Sequence, residues 1–477
     1  MLPSMIVVFV LIPFTCGQNP AIQVTLTNKG LQYGKYVGTG WIQDQLEHVT
    51  LPDISGEIDI SIFGSVDYTL TGITITKYDF PEPSVEFYQD VTGFKTSISG
   101  LSVALTGGWL THYGIIHDGG SFDMVIFSVD VTSVVALAKD PDGHLSVTSA
   151  SCDAQVGDVD VRFYGGASWI FQPFVDHFKG RIRGEIEDRI CPDVEESIVN
   201  LEYHLQAMNV SFDVDQDLTL DLPLTGLPVI DASSLNLGLK GEFYSIKTHA
   251  DPPFESQPFT VPEQPGYMLS VGLSEFTLNS ASYGYYSAGL FQALLNDSMI
   301  PPSSPVHLNT SSMGPFIPQL PKMFPGLLMN LQVYARQAPL FSFQPGAVKL
   351  DFQGAVQAFA IQPNGTQTPL FKLNVDSKFS GKVWIAGGTL KGSMAMNNLT
   401  LALASSEVGA FKTGAVESLA RMGAMGALAK VNEKLGKGVV LPTMKQAQLV
   451  NTVLEVEEGF IAISSDAQVL LPDRSLN

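Results

Sequence analysis

The stretch GGWLTHYGIIHDGG, Gly107 to Gly120, sets His112 and His117 among Trp109, Leu110, Tyr113, Ile115 and Ile116. Two imidazoles could begin a metal site, but a zinc site needs further Cys, His or carboxylate ligands. No cysteine lies nearby, and the other histidines are scattered. The rest of the chain spells no familiar chemistry. GKGVV lacks the upstream glycine and following Ser or Thr of a phosphate loop, and GTGWIQ lacks the third glycine of a dinucleotide fingerprint. There is no G-x-S-x-G elbow and no H-E-x-x-H. The carboxylate pairs Glu195–Glu196 and Glu457–Glu458 read as solvated faces. No catalytic residue, metal or catalytic cofactor is expected, and the chain reads as something other than an enzyme.

Glycines flank that aromatic stretch, which contains no Lys or Arg. Three uses of it stay open. The turn inserts its apolar residues among acyl chains as an interfacial anchor. Or it becomes cationic in acidic surroundings, since histidine ordinarily titrates near 6.5. Or it folds back as ordinary core.

The elements that would position such a turn are strands. AIQVTLT, EIDISIF, SVALTG, FDMVIFSVDV and DVDVRF alternate apolar and polar residues, the period of antiparallel strands with one covered face. Helices are few. One is expected over Gly30 to His48, and one from Ser168 to about Met208, with Phe171, Phe174, Val175, Phe178, Ile182 and Ile186 along one face. Pro192 predicts a kink there or a division into two helices. In the second half, strands around Met268–Thr277 precede a helix at about Ala281–Leu295. A late helix, Thr413 to Leu435, carries Leu419, Met422, Met425, Leu428 and Val431. Each half thus reads strand, helix, long sheet, helix, strand, with Pro223 and Pro228 marking the join.

Charged residues are 15% of the chain, against ~25% in ordinary soluble domains, so much apolar surface is either buried or committed to a ligand. The net charge is −21, and all of it belongs to the first half. Gln18 to Leu239 holds 10 Lys+Arg against 31 Asp+Glu, while the remainder holds 16 of each. That excludes nucleic acid as a partner and argues against electrostatic capture by anionic membranes. Residues 1–17 read as a signal peptide, with an apolar run from Met5 to Phe14 and small residues at Thr15 and Gly17. The protein is therefore expected to be secreted and extracellular. Two cysteines then remain, Cys152 and Cys191, an even number suited to a bridge in an oxidising compartment. Sequons at Asn209, Asn296, Asn309, Asn364 and Asn398 fit the same setting as glycosylation sites.

LKGEFYS, PPF, VGLSEF, DSMIP, VQAFAIQPN and VNEKLGKGVVLP follow in order through the second half. With NPAIQVTLTNKGLQY, LPD at Leu51–Asp53 and the cysteine pair in the first half, they make the chain resemble the bactericidal permeability-increasing protein and lipopolysaccharide-binding protein family. The resemblance implies an α+β, mostly antiparallel β architecture. That is an elongated boomerang of two barrel-like domains with long helices, related by a pseudo-twofold and joined by a central sheet. It divides the chain into 18–222, a linker and central sheet at 223–250, and 251–477. It implies one phospholipid in an apolar pocket of each domain, with Trp41, Ile42, Leu46, Phe174 and Phe178 facing the first. Tyr286, Leu290, Met422 and Met425 would face the second. It implies the disulfide Cys152–Cys191, and recognition of bacterial lipopolysaccharide through lipid A at the outer membrane surface as antibacterial innate defence. Receptor contact through the second domain and a monomeric state are further implications. The family's antibacterial members carry clustered cations at the tip of the first domain. Here Trp109, His112, Tyr113, Ile115, Ile116 and His117 stand in that place, beside Glu47, Asp53, Glu57 and Asp59. Lipid A phosphates favour Arg or Lys, so a phospholipid carrier without a bactericidal step is the alternative.

Overall fold

A computed structural model describes residues 18–48, 50–60, 64–113, 115–166, 168, 175–441 and 447–469. Period-two alternation produces strands through most of this length, and every pairing between them is antiparallel. In the first half, the long strands Gly64–Asp79, Gly93–Tyr113, Ile116–Lys139 and Leu145–Tyr164 pair in sequence order as a meander. In the second half, Leu328–Ala335, Ala347–Ile361, Gln367–Ala386 and Thr389–Ser406 do the same. Each set forms the body of a seven-stranded sheet. Between them lies a six-stranded sheet drawn from both halves. Its order is Val229–Ile230, Ser234–Leu239, Ile22–Thr27, Leu269–Ser274, Phe460–Val469, Ala447–Val456.

Five α-helices occur among the described residues: α1 (Asn28–His48), α2 (Val175–Gln206), α3 (Glu275–Ser287), α4 (Leu320–Met323) and α5 (Thr413–Lys437). Pro192 does not divide α2. The helix is tied at that point by the Cys152–Cys191 disulfide, and its neighbouring turns bond to the sheet, so one missing N–H is tolerated. The helix expected at Ala281–Leu295 lies earlier. Gly289 adopts φ +76°, the left-handed conformation that ends helices, and Gln292–Asn296 becomes an edge strand.

The two long helices α2 and α5 seal the last long strand of their sheets in the same way. On Leu145–Tyr164, the Val156 N–H donates to Glu187 (3.1 Å) and the Val147 N–H to Glu202 (2.6 Å). On Thr389–Ser406, the Leu401 N–H donates to Glu417 (3.2 Å), and Arg421 donates to the Leu399 carbonyl (2.9 Å). The Asn432 amide bonds both the N–H and C=O of Met394, at 2.7 and 2.8 Å. Side chains thereby occupy backbone groups that would otherwise template another strand.

Each half has its own core. Leu70, Ile73, Trp109, Phe122, Val159 and Ile182 belong to the first. Ile317, Leu320, Met329, Leu370, Phe371 and Val416 belong to the second.

Candidate lipid-binding site

The hairpin of the opening stretch pairs His112 with His117 and Tyr113 with Ile116. Alternation sorts its residues. Trp109 points inward and is 3% exposed. Its ring meets Phe163 edge-on at 6.0 Å, and its indole N–H donates to the Tyr164 carbonyl at 3.1 Å. The flanking glycines serve this packing. A Cβ on Gly120 would stand 2.7 Å from the indole nitrogen, and one on Gly107 would stand 2.7 Å from the Phe122 ring. Trp109, expected at the tip, is therefore core. Ile115 is 95% exposed, Leu110 also faces solvent, and the two histidines are exposed with perpendicular rings 3.7 Å apart. The side chains of Tyr113 and Ile116 lie outside the described residues. Across the outer face, the ladder sets Glu57 opposite Asp67, Asp67 opposite His112, and His112 opposite His117. Asp53 and Glu57 are exposed nearby, so the end of this lobe combines apolar and acidic groups.

In the first lobe, α1 turns Trp41 and Ile42 to solvent, with Leu46 half-buried. Phe174 and the Phe178 side chain lie outside the described residues, so the expected first pocket is only partly described. Gly34, Gly38 and Gly40 of α1 have no atom within 4 Å of an added Cβ; packing does not require them.

The second lobe holds a cavity of about 610 Å³ between α3, α5 and the inner face of the sheet. Leu278 and Tyr285 line it from α3, Leu428 and Val431 from α5, and Phe341, Phe352 and Phe379 from the strands. Its size falls within the roughly 300–1,000 Å³ of small-molecule sites. The Tyr285 hydroxyl donates to Asp215 at 2.6 Å. Burial, together with that carboxylate, pushes the phenol up to about 12, so the hydroxyl keeps its proton and donates to an ionised Asp215, whose own pKa this bond and the Asp217 and Leu218 N–H groups lower.

The residues expected here fall elsewhere. Met422 and Met425 are 63% and 60% exposed. Positions three apart drift by about 60° per step around a helix of 3.6 residues per turn. The series Leu419, Met422, Met425, Leu428, Val431 therefore sweeps round α5 instead of holding one face. Leu290 follows the end of α3 and is exposed. Tyr286 bonds the Arg336 carbonyl at 2.9 Å and lines a different, polar cavity. Tyr285, Leu350, Phe352 and Phe379 escaped the sequence reading, although VKLDFQG alternates so that Leu350 and Phe352 share one face.

Asp140, Asp142 and His144 converge in the turn before Leu145. Asp140 closes that turn by accepting from the His144 N–H at 2.8 Å and pairing with its ring at 2.7 Å.

Two lobes, a shared central sheet and a helix-covered apolar cavity are now in view. Residues 30–208 match the N-terminal domain of the LBP / BPI / CETP family, and residues 212–469 match its C-terminal domain. The chain belongs to this family. It is 37% identical over 460 residues to a bactericidal permeability-increasing protein from Sebastes schlegelii, covering 96% of this chain and 97% of that one. It is 27% identical over 473 residues to the lipopolysaccharide-binding protein of Homo sapiens, covering 98% of each. A crystal structure of lipopolysaccharide binding protein superposes with a TM-score of 0.58 at 24% identity, covering 95% of this chain and all of that one. The likeness shows the same fold. No described helix is long and apolar enough to cross a membrane.

Proposed function

We propose that this chain is a secreted lipid-binding protein of innate defence. It recognises lipopolysaccharide through lipid A, holds phospholipid acyl chains inside its lobes, and acts by binding instead of catalysis. The observation that carries the reading is the aromatic and aliphatic cavity of about 610 Å³ beneath α5, in a chain whose relatives are named for lipopolysaccharide. Membrane contact is assigned to the exposed end of the first lobe, through Ile115 and Leu110 with His112 and His117 beside them. Trp41 and Ile42 on α1 are assigned to the first lipid. Asn209, Asn364 and Asn398 are exposed and are the better glycosylation candidates.

One observation favours a second reading, a phospholipid carrier without a bactericidal step. The end of the first lobe bears Glu57 and Asp67 and, from Gly107 to Gly120, no Lys or Arg. Titration of the full chain against lipid A in phosphatidylcholine vesicles, and against phosphatidylcholine alone, at low and high salt separates the two. Preference for lipid A that barely changes with salt is expected, because apolar contacts are little screened. Equal binding to both vesicles would leave only the carrier.

A further inference from the structure

The outer face of the second sheet carries a second cavity, of about 390 Å³, with different chemistry. Gln292 begins the edge strand, Gln332 lies on the next and Gln357 on the one after. The register sets Gln292 opposite Tyr334 and Gln332 opposite Gln357. All three glutamines line the cavity together with Tyr334, Tyr286 and Phe291. The Tyr286 hydroxyl is held by the Arg336 carbonyl, which fixes its ring. Among the described residues, the three glutamine amides bond no protein group. Each offers two donors and two lone pairs.

No lining residue is a carboxylate, so a choline or ammonium group would have only ring faces to meet. The Lys372 ammonium already sits 5.5 Å over the Tyr334 ring. A phosphate would call for Arg or several lysines. Unpaired amides beside tyrosine rings match a neutral polyhydroxyl group instead. Sugar hydroxyls donate and accept together, and the C–H face of a pyranose lies flat on an aromatic ring. Phe291 also lines the apolar cavity under α5, so the two spaces share that side chain. We propose that the amide cavity is a carbohydrate subsite, taking the neutral sugar headgroup of a glycolipid whose chains enter the apolar cavity past Phe291. The acyl half of this rests on the lipid-holding reading above; the sugar half does not.

The test uses the full chain and the double variant Gln332→Leu/Gln357→Leu, with Gln292→Leu as a milder companion. Unfolding curves first establish that the variants fold. Three probes are titrated: phosphatidylcholine, monohexosyl diacylglycerol in phosphatidylcholine vesicles, and a free neutral disaccharide. The double variant is expected to lose about tenfold in glycolipid affinity, the equivalent of one or two amide hydrogen bonds. Phosphatidylcholine retention should stay unchanged. The disaccharide should bind more weakly, compete with the glycolipid, and lose its binding in the same variant. Equal glycolipid affinity in variant and parent, parallel loss of both lipids, or a disaccharide that does not compete would each overturn the proposal. A parent chain that retains neither lipid but binds the disaccharide through these glutamines would remove the lipid-holding reading and the glycolipid assignment, leaving the sugar chemistry standing.

Discussion

Trp109 and Ile115 stand six positions apart on one hairpin and do opposite things. The indole fills the core against Phe163, while Ile115 projects into solvent. Trp109→Ala should cost about 3–5 kcal/mol, read as a lowered denaturant midpoint. Ile115→Ala should leave stability within about 0.5 kcal/mol and weaken vesicle association. A stability loss at Ile115 equal to that at Trp109 would refute this division. Asp466 offers a pH test at the same scale. Burial would raise its pKa, but the Lys29 ammonium at 2.8 Å, the Asn451 amide and the Met268 N–H outweigh burial and lower it. A depressed folded pKa adds stability that is full above the unfolded value, about 3.9, and disappears as pH falls through the folded value. Asp466→Asn should therefore destabilise at neutral pH by about 1 kcal/mol, the low end for a charged hydrogen bond because Lys29 is 41% exposed. The gap from the parent should close in acid. A gap constant down to pH 2 would show that the charge is not responsible.

Helices α2 and α5 do the same mechanical job with different fastenings. Between its two glutamate bonds, α2 is joined covalently to Leu145–Tyr164 by Cys152–Cys191. Helix α5 has no disulfide among the described residues and is held by hydrogen bonds and by the packing of Val416 and Leu419 into the core. Cys191→Ser should cost about 3–4 kcal/mol, as chain entropy gives for a separation of 39 residues, and should lower the first lobe's thermal transition. An unmoved transition would mean that the glutamates suffice. Gly423 and Gly426 of α5 have no atom within 4 Å of an added Cβ. Alanine at both should stabilise the helix by up to about 1 kcal/mol per site, visible as slower amide exchange in α5. How legible these elements were depended on whether the deciding force was local. Strand alternation is local, and it set Trp109 inward beside Leu105 even while the aromatic run suggested a surface tip. The end of α3 was decided by the Gly289 conformation, which apolar LFQALLN masked. The cavity face of α5 was decided by which turn reaches Met394 and Leu399 across space, and stepping by threes could not find it.

At the scale of the whole molecule, the central sheet makes each lobe depend on chain from the other. Ile22–Thr27 lies between Ser234–Leu239 and Leu269–Ser274, and the latter pairs with Phe460–Val469 near the other end of the chain. Lys29, two residues past that strand in α1, is fastened to Asp466. The sequence showed both halves repeating one plan, but pairing across more than two hundred residues leaves no local pattern, so the sharing of this sheet stayed hidden. A first-lobe fragment ending at Ile230 leaves Ile22–Thr27 without either long neighbour and exposes its backbone along both sides. A fragment ending at Ser245 restores Ser234–Leu239 and the short strand Glu242–Ser245, which pairs with Leu218–Asp221. The shorter fragment should therefore unfold at lower denaturant, over a broader transition, and associate through its bare strand. The longer one should recover most of the lost midpoint but still fall short of the intact chain, because Leu269–Ser274 and Asp466 remain missing. Equal midpoints for the two fragments would mean that the first lobe stands without the central sheet and that the sheet only joins it to its neighbour.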